Sequence, residues 1–106
     1  MRAKRTIAIA VLATVAVLPT AFAQNATETT YNAKCAMCHG KDGLGETPAG
    51  KKMGVRSFKA PEVTKQSDKE LTDVITNGKN KMPKYGEKLK AEEINELVKY
   101  VHTLQK

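Results

Sequence analysis

The sequence has no tryptophan, only two cysteines and two histidines, and no long apolar stretch outside one N-terminal run. Residues 24 to 106 contain no alternating or β-branched run that would form a strand, which removes sheet-based folds. The two cysteines are separated by only two residues, so a disulfide between them would close a tiny loop and stabilise little. With 106 residues, the chain has room for one small domain but not for several, nor for a large enzyme with a deep pocket.

The apolar run from Ile7 to Leu18 follows Arg2, Lys4 and Arg5 and precedes Ala21-Phe22-Ala23. A basic start, a short apolar run and a small-x-small exit describe a secretory signal peptide. As an anchor the segment is poor: Ile7 to Ala23 is 17 residues interrupted by Pro19 and Thr20, against the roughly 20 apolar residues a span needs. No cysteine follows closely to accept a lipid. The expectation is a cleaved signal peptide at 1–23 and one domain at 24–106. That domain should be soluble and periplasmic, or otherwise extracytoplasmic, with no stable membrane insertion after cleavage.

The remaining 83 residues are too few to bury a generous core, and domains of this size commonly borrow a staple. Their periodic segments are helical. Ile94, Leu97, Val98, Val101 and Leu104 recur at helical spacing, with Glu92, Glu93 and Glu96 early and Lys99 and Lys106 later. The cap position, Lys90, is a weak one. Ser67 and Glu70 form a capping-box pair ahead of Leu71, Val74 and Ile75, and Asn77-Gly78 supplies the stop. A weaker helix is predicted from about Asn25 to Cys38. Between these lie Gly40 to Gly54, Val55 to Lys65 and Gly78 to Lys90, read as loops. Loops this long in so small a domain point to a bound group that organises them.

Cys35-Ala36-Met37-Cys38-His39 indicates that group. Cys-x-x-Cys-His is the attachment signature of c-type haem. Two thiols three residues apart can reach the vinyl groups of neighbouring pyrroles and form thioethers. The next residue then offers an imidazole nitrogen to the iron. A thioredoxin-like pair would need a strand leading into the motif within a βαβ pattern, and none is visible. A zinc site would need a fourth ligand, for which only His102 remains, and adjacent Cys38 and His39 suit a tetrahedron poorly.

Two methionines compete for the other axial position. Met1 leaves with the signal peptide and Met37 is held between the two cysteines. Met53 sits beside Gly54, Val55 and Phe58 and has the surroundings of packing filler. Met82 lies beyond the Ser67 helix, and Pro83 biases it towards an extended conformation. The residues alone favour Met82 and leave Met53 open. His102 falls beside the apolar stripe of the last helix, where a surface histidine is expected; ligation by two histidines is the alternative.

The mature sequence resembles class I c-type cytochromes, the small mono-haem electron carriers. The likeness rests on Cys35-Ala36-Met37-Cys38-His39 with Gly40-Lys41-Asp42-Gly43, on Gly78-Lys79-Asn80-Lys81-Met82-Pro83, and on the last helix with Tyr100-Val101. The resemblance implies an all-α cytochrome c fold of three to four short helices and loops around one covalently bound haem c. It implies that Cys35 and Cys38 attach the haem and that His39 and Met82 bind its iron. It also places Tyr100 at a contact between the first and last helices. Tyr31, Phe58 and Tyr85 are further packing candidates. With both axial positions filled, the expected role is one-electron transfer rather than catalysis.

Without the signal peptide, 15 basic residues face 11 acidic ones. The excess lies in residues 76 to 90, where Lys79, Lys81, Lys84, Lys88 and Lys90 meet only Glu87. This predicts docking to redox proteins with acidic surfaces: an oxidase, a quinol–cytochrome c reductase type of complex, or a dehydrogenase. A monomer is expected, and no nucleic-acid partner. Two rivals are a haem sensor or peroxidase, in which Met82 leaves easily, and a haem-free dithiol protein.

Overall fold

The computed structural model describes residues 3, 8–11 and 20–106, with side chains from residue 25 onward in the first helix. Most of the apolar run, and with it the signal-peptide expectation, lies outside the described residues. Among those described, no helix is long and apolar enough to cross a membrane.

The architecture is all-α. Among the described residues six helical segments follow in order: α1 (Thr20–Lys34), α2 (Ala36–His39), α3 (Pro48–Met53), α4 (Pro61–Thr64), α5 (Asp68–Asn77) and α6 (Ala91–Leu104). No strand occurs among the described residues; one isolated bridge joins Lys79 and Met82. Helix α1 begins before the expected Asn25, because Ala21 and Ala23 are strong helix formers. A cut after Ala23 would fall within its first turn.

Helix α1 also stops short of the expected Cys38. In a continuous helix the Lys34 carbonyl would accept from Cys38 N–H. Here the Tyr85 hydroxyl donates to that carbonyl at 3.0 Å. The Cys38 N–H turns to the Cys35 carbonyl at 3.2 Å. Cys35 itself has φ −114° and ψ −37°, off the regular helical values. The chain therefore bends at the first cysteine and restarts as the single turn α2.

Helices α3 and α4 lie inside stretches read as loops. Each starts with proline at its first position, Pro48 after the N-cap Thr47 and Pro61 after Ala60. Proline suits that position because its missing N–H would be unpaired anyway. Both segments are too short to show an apolar period. Helices α5 and α6 follow their sequence signals. Ser67 Oγ accepts from Glu70 N–H at 3.1 Å and donates to the Glu70 carboxylate at 3.2 Å. Lys90 offers no capping oxygen, but its own N–H donates to the Glu93 carboxylate at 3.0 Å. Half of a capping box thus replaces the missing side-chain cap.

Helix α6 packs on both α1 and α5, and α2 packs on α1 and α3. Tyr31, Phe58, Leu89, Ile94, Leu97 and Val101 form the buried cluster. The Tyr31 and Tyr100 rings meet at 4.9 Å between centroids, making an aromatic pair at the α1–α6 contact. Phe58 meets Tyr31 edge-on at 6.4 Å. Tyr85 and Tyr100 are only half-buried.

Candidate functional site

The turn α2 is held almost entirely through its carbonyl groups. Tyr31 Oη donates to the Gly40 carbonyl at 2.6 Å. Thr47 Oγ1 lies 2.6 Å from the Met37 carbonyl and 3.1 Å from that of Cys38, and accepts from Gly50 N–H at 2.9 Å. Gly45 N–H donates to the His39 carbonyl at 2.8 Å. With the Tyr85–Lys34 bond, and with Gly43 N–H also donating to the Gly40 carbonyl at 3.1 Å, every residue from Lys34 to Gly40 except Cys35 and Ala36 has its carbonyl held by a partner outside α1 and α2. Those two accept within the turn, Cys35 from Cys38 and His39, Ala36 from Gly40. The backbone is fixed while the side chains stay available.

Cys35 and Cys38 are both free thiols, half-buried, one helical turn apart. Burial pushes the Cys35 thiol up to about 11, against a smaller opposing pull from Lys34. A catalytic dithiol depresses its leading cysteine instead. His39 follows directly. Burial lowers its pKa, which keeps the imidazole neutral, the form that binds iron. Its Nδ1 is the one fully buried side-chain nitrogen or oxygen without a hydrogen-bond partner among the described residues. The Phe58 ring stacks on the imidazole at 4.7 Å between centroids and 25° between planes.

Met82 sits apart from that turn, in a short pinned loop. Lys79 and Met82 exchange both backbone hydrogen bonds, at 3.2 and 2.9 Å, across the two-residue turn Asn80-Lys81. Asn80 takes φ +53°, a left-handed conformation that asparagine tolerates better than most residues. Gly78 has φ +73°, and a Cβ there would stand 2.6 Å from the Met82 carbonyl. Three residues on, Tyr85 N–H donates to Ile75 at 2.9 Å and its hydroxyl reaches Lys34, next to Cys35. Tyr85 thus ties this end of the loop both to α5 and to the last residue of α1, next to the cysteine turn. Met82 is half-buried, whereas Met53 is 45% exposed and Met37 is 75% exposed.

His102 is engaged elsewhere. Its Nε2 lies 2.6 Å from Asp68 Oδ1 and its Nδ1 lies 2.8 Å from Gln105 Oε1. No group of three or more histidine, cysteine or acidic side chains among the described residues is placed to hold a metal ion. Two free thiols, a neutral imidazole and a pinned thioether are instead a donor set that fits a covalently attached haem.

Sequence reasoning missed Thr47 and Gly50. A Cβ on Gly50 would overlap the Cys38 carbonyl and stand 2.6 Å from that of Gly45. The Thr47-Pro48 pair is a readable helix start, although nothing in it announces contact with Met37 and Cys38.

Comparison with known proteins agrees with this set. The family model described as cytochrome C oxidase, cbb3-type, subunit III matches residues 23–101. The solved KustC0563 c-type cytochrome is similar at 34% identity and a TM-score of 0.69, over 76% of this chain and 98% of that one. No curated protein matches the chain significantly. Members of the family transfer electrons rather than catalyse reactions on substrates, and Cys35 and Cys38 fit the attachment motif of covalently bound haem c and its iron. The chain belongs to the cbb3-type cytochrome c oxidase subunit III family and is a c-type cytochrome.

Proposed function

We propose that this cytochrome is an extracytoplasmic one-electron carrier whose haem iron is bound by His39 and Met82. The observation that carries the reading is the pairing of a rigidly held Cys35–His39 turn with a Met82 loop closed by the reciprocal Lys79–Met82 hydrogen bonds. A thioether is a weak iron ligand, and a loop already fixed loses little entropy on binding it. Haem supplies the reversible ferric–ferrous couple, and a soft methionine ligand shifts that couple towards the ferrous side. The residues contribute attachment, ligand choice and exclusion of water. With both axial positions filled by side chains, none is left for oxygen or peroxide.

The partner is a redox protein with an acidic docking surface. Lys79, Lys81, Lys84, Lys88 and Lys90 are all exposed around Met82, so their charge is presented to solvent where an approaching protein would feel it. The family description makes an oxidase the first candidate acceptor; a quinol–cytochrome c reductase type of complex or a dehydrogenase would suit as donor. Export follows from the leader-like residues 1–23, and the family match beginning at residue 23 supports a domain that starts there.

The absorption spectrum of the exported protein tests the ligation. Sharp c-haem bands on reduction, with a weak far-red methionine–iron band when oxidised, are expected. Haem bands without the far-red feature, or rapid carbon monoxide binding by the reduced protein, would contradict Met82 ligation.

A further inference from the structure

One run of contacts links the surface to His39 and is used by nothing described above. Phe58, stacked on the imidazole, is fixed from three sides. Its N–H donates to the Gly43 carbonyl at 2.9 Å. Its ring fills the space beside Gly43, where a Cβ would stand 2.5 Å from the ring. Its carbonyl accepts from Gln105 Nε2 at 3.2 Å. That last bond orients the Gln105 amide, so its Oε1 faces His102 Nδ1 as an acceptor. On the other side His102 Nε2 faces the Asp68 carboxylate, also an acceptor. Only the imidazolium has a proton for each.

Both bonds raise the pKa of His102. The charged group facing it is Asp68 of α5; from its own helix it meets the neutral Gln105, and through Gln105 the Phe58 backbone. When His102 loses a proton, one of the two bonds must fail. The bond to the carboxylate is charge-assisted and the stronger, so the Gln105 bond is the one given up. Turning the amide over would restore a donor to Nδ1 but would set Oε1 against the Phe58 carbonyl. An amide left as it is would face the unprotonated Nδ1 with Oε1, two acceptors at 2.8 Å, and that repulsion drives the turn that takes the donor from the Phe58 carbonyl.

We propose that Phe58 is a positioning residue for His39, and that the Asp68–His102–Gln105 relay makes the haem reduction potential depend on the protonation of His102. The inference rests on His39 being an iron ligand. A protonated His102 favours ferrous iron, so the potential falls as pH rises through the His102 titration. By reciprocity His102 holds its proton more tightly in the reduced protein, and each electron gained draws a fraction of a proton from solvent onto His102.

The test is the midpoint potential of the haem-loaded full-length protein between about pH 5.5 and about pH 9, spanning the ordinary histidine value of about 6.5. Wild type, His102→Gln and Gln105→Leu are compared, each first checked for the His/Met spectrum. Gln105→Leu keeps the charge of His102 and Asp68 but removes the link to Phe58. In wild type, relative to either variant, the ferrous-to-ferric ratio at a fixed electrode potential should drop about fivefold across the range. The haem methyl shifts of the ferric protein, which report the imidazole plane, should move with pH in wild type alone. Identical pH curves for wild type and His102→Gln would overturn the proposal. So would a drop undiminished in Gln105→Leu, which would mean charge acting through space. A wild-type spectrum without histidine ligation would instead overturn the ligand assignment on which the proposal rests.

Discussion

The Tyr31 hydroxyl donates to the Gly40 carbonyl at 2.6 Å, joining the middle of α1 to the residue immediately after His39. Among the described residues Tyr31 is the largest fully buried side chain, 1% exposed, and Gly40 is buried as well, so neither group has water to turn to. Tyr31→Phe keeps the ring contacts with Phe58 and Tyr100 and leaves the Gly40 carbonyl with the Gly43 N–H alone, 3.1 Å away. The loss of that one hydrogen bond should cost about 0.5–1.5 kcal/mol, read as an earlier midpoint in urea with haem content retained. An unchanged midpoint would mean the bond contributes nothing.

Gly50 presses its backbone against the Cys38 and Gly45 carbonyls. Gly50→Ala forces α3 away from the cysteine turn and should destabilise by about 1–3 kcal/mol. Because Thr47 and Gly50 together hold the carbonyls of Met37 and Cys38, the yield of covalently attached haem should fall as well. Full attachment with unchanged stability would show that α3 does not brace the turn.

These two positions also show where the sequence was readable and where it was not. The chemistry of Cys35, Cys38 and His39 is contiguous, and α5 and α6 carry apolar faces with stops or caps that single residues supply, so all were legible. Tyr85 with Lys34, Gln105 with Phe58 and Asp68 with His102 are each more than thirty positions apart. A contact of that kind leaves no local spacing or composition to read. The break after Lys34 was hidden for the same reason, since its cause is a hydroxyl arriving from the Met82 loop. Helices α3 and α4 escaped because six and four residues are too few to show the apolar repeat by which helices are recognised.

The His102–Asp68 pair joins α6 to α5 and sets a pH dependence of stability. Its hydrogen bonds to Asp68 and Gln105 raise the His102 pKa above the ordinary value. The stabilisation is therefore complete below about pH 6.5 and lost as pH rises through the folded value. Both side chains are substantially exposed, 41% and 76%, so the effect is small. Urea midpoints should decline between mildly acidic and mildly alkaline pH, and Asp68→Asn should flatten that decline. An equal decline in the variant would assign it to other groups.

The lysines around Met82 should steer partners over distance. Electron transfer with the natural partner should slow about tenfold or more from low to high ionic strength. Lys79→Glu with Lys81→Glu should slow it similarly at low salt while leaving the spectrum unchanged. A rate indifferent to salt would remove the docking role of this loop.

The central claim is that Met82 binds the iron, and the proton spectrum of the reduced protein tests it most directly. A methionine methyl held against the porphyrin is shifted far upfield by the ring current. That three-proton signal should be present in wild type and in Met53→Leu, and absent in Met82→Ala. A signal that survives in Met82→Ala, or vanishes in Met53→Leu, would contradict the account.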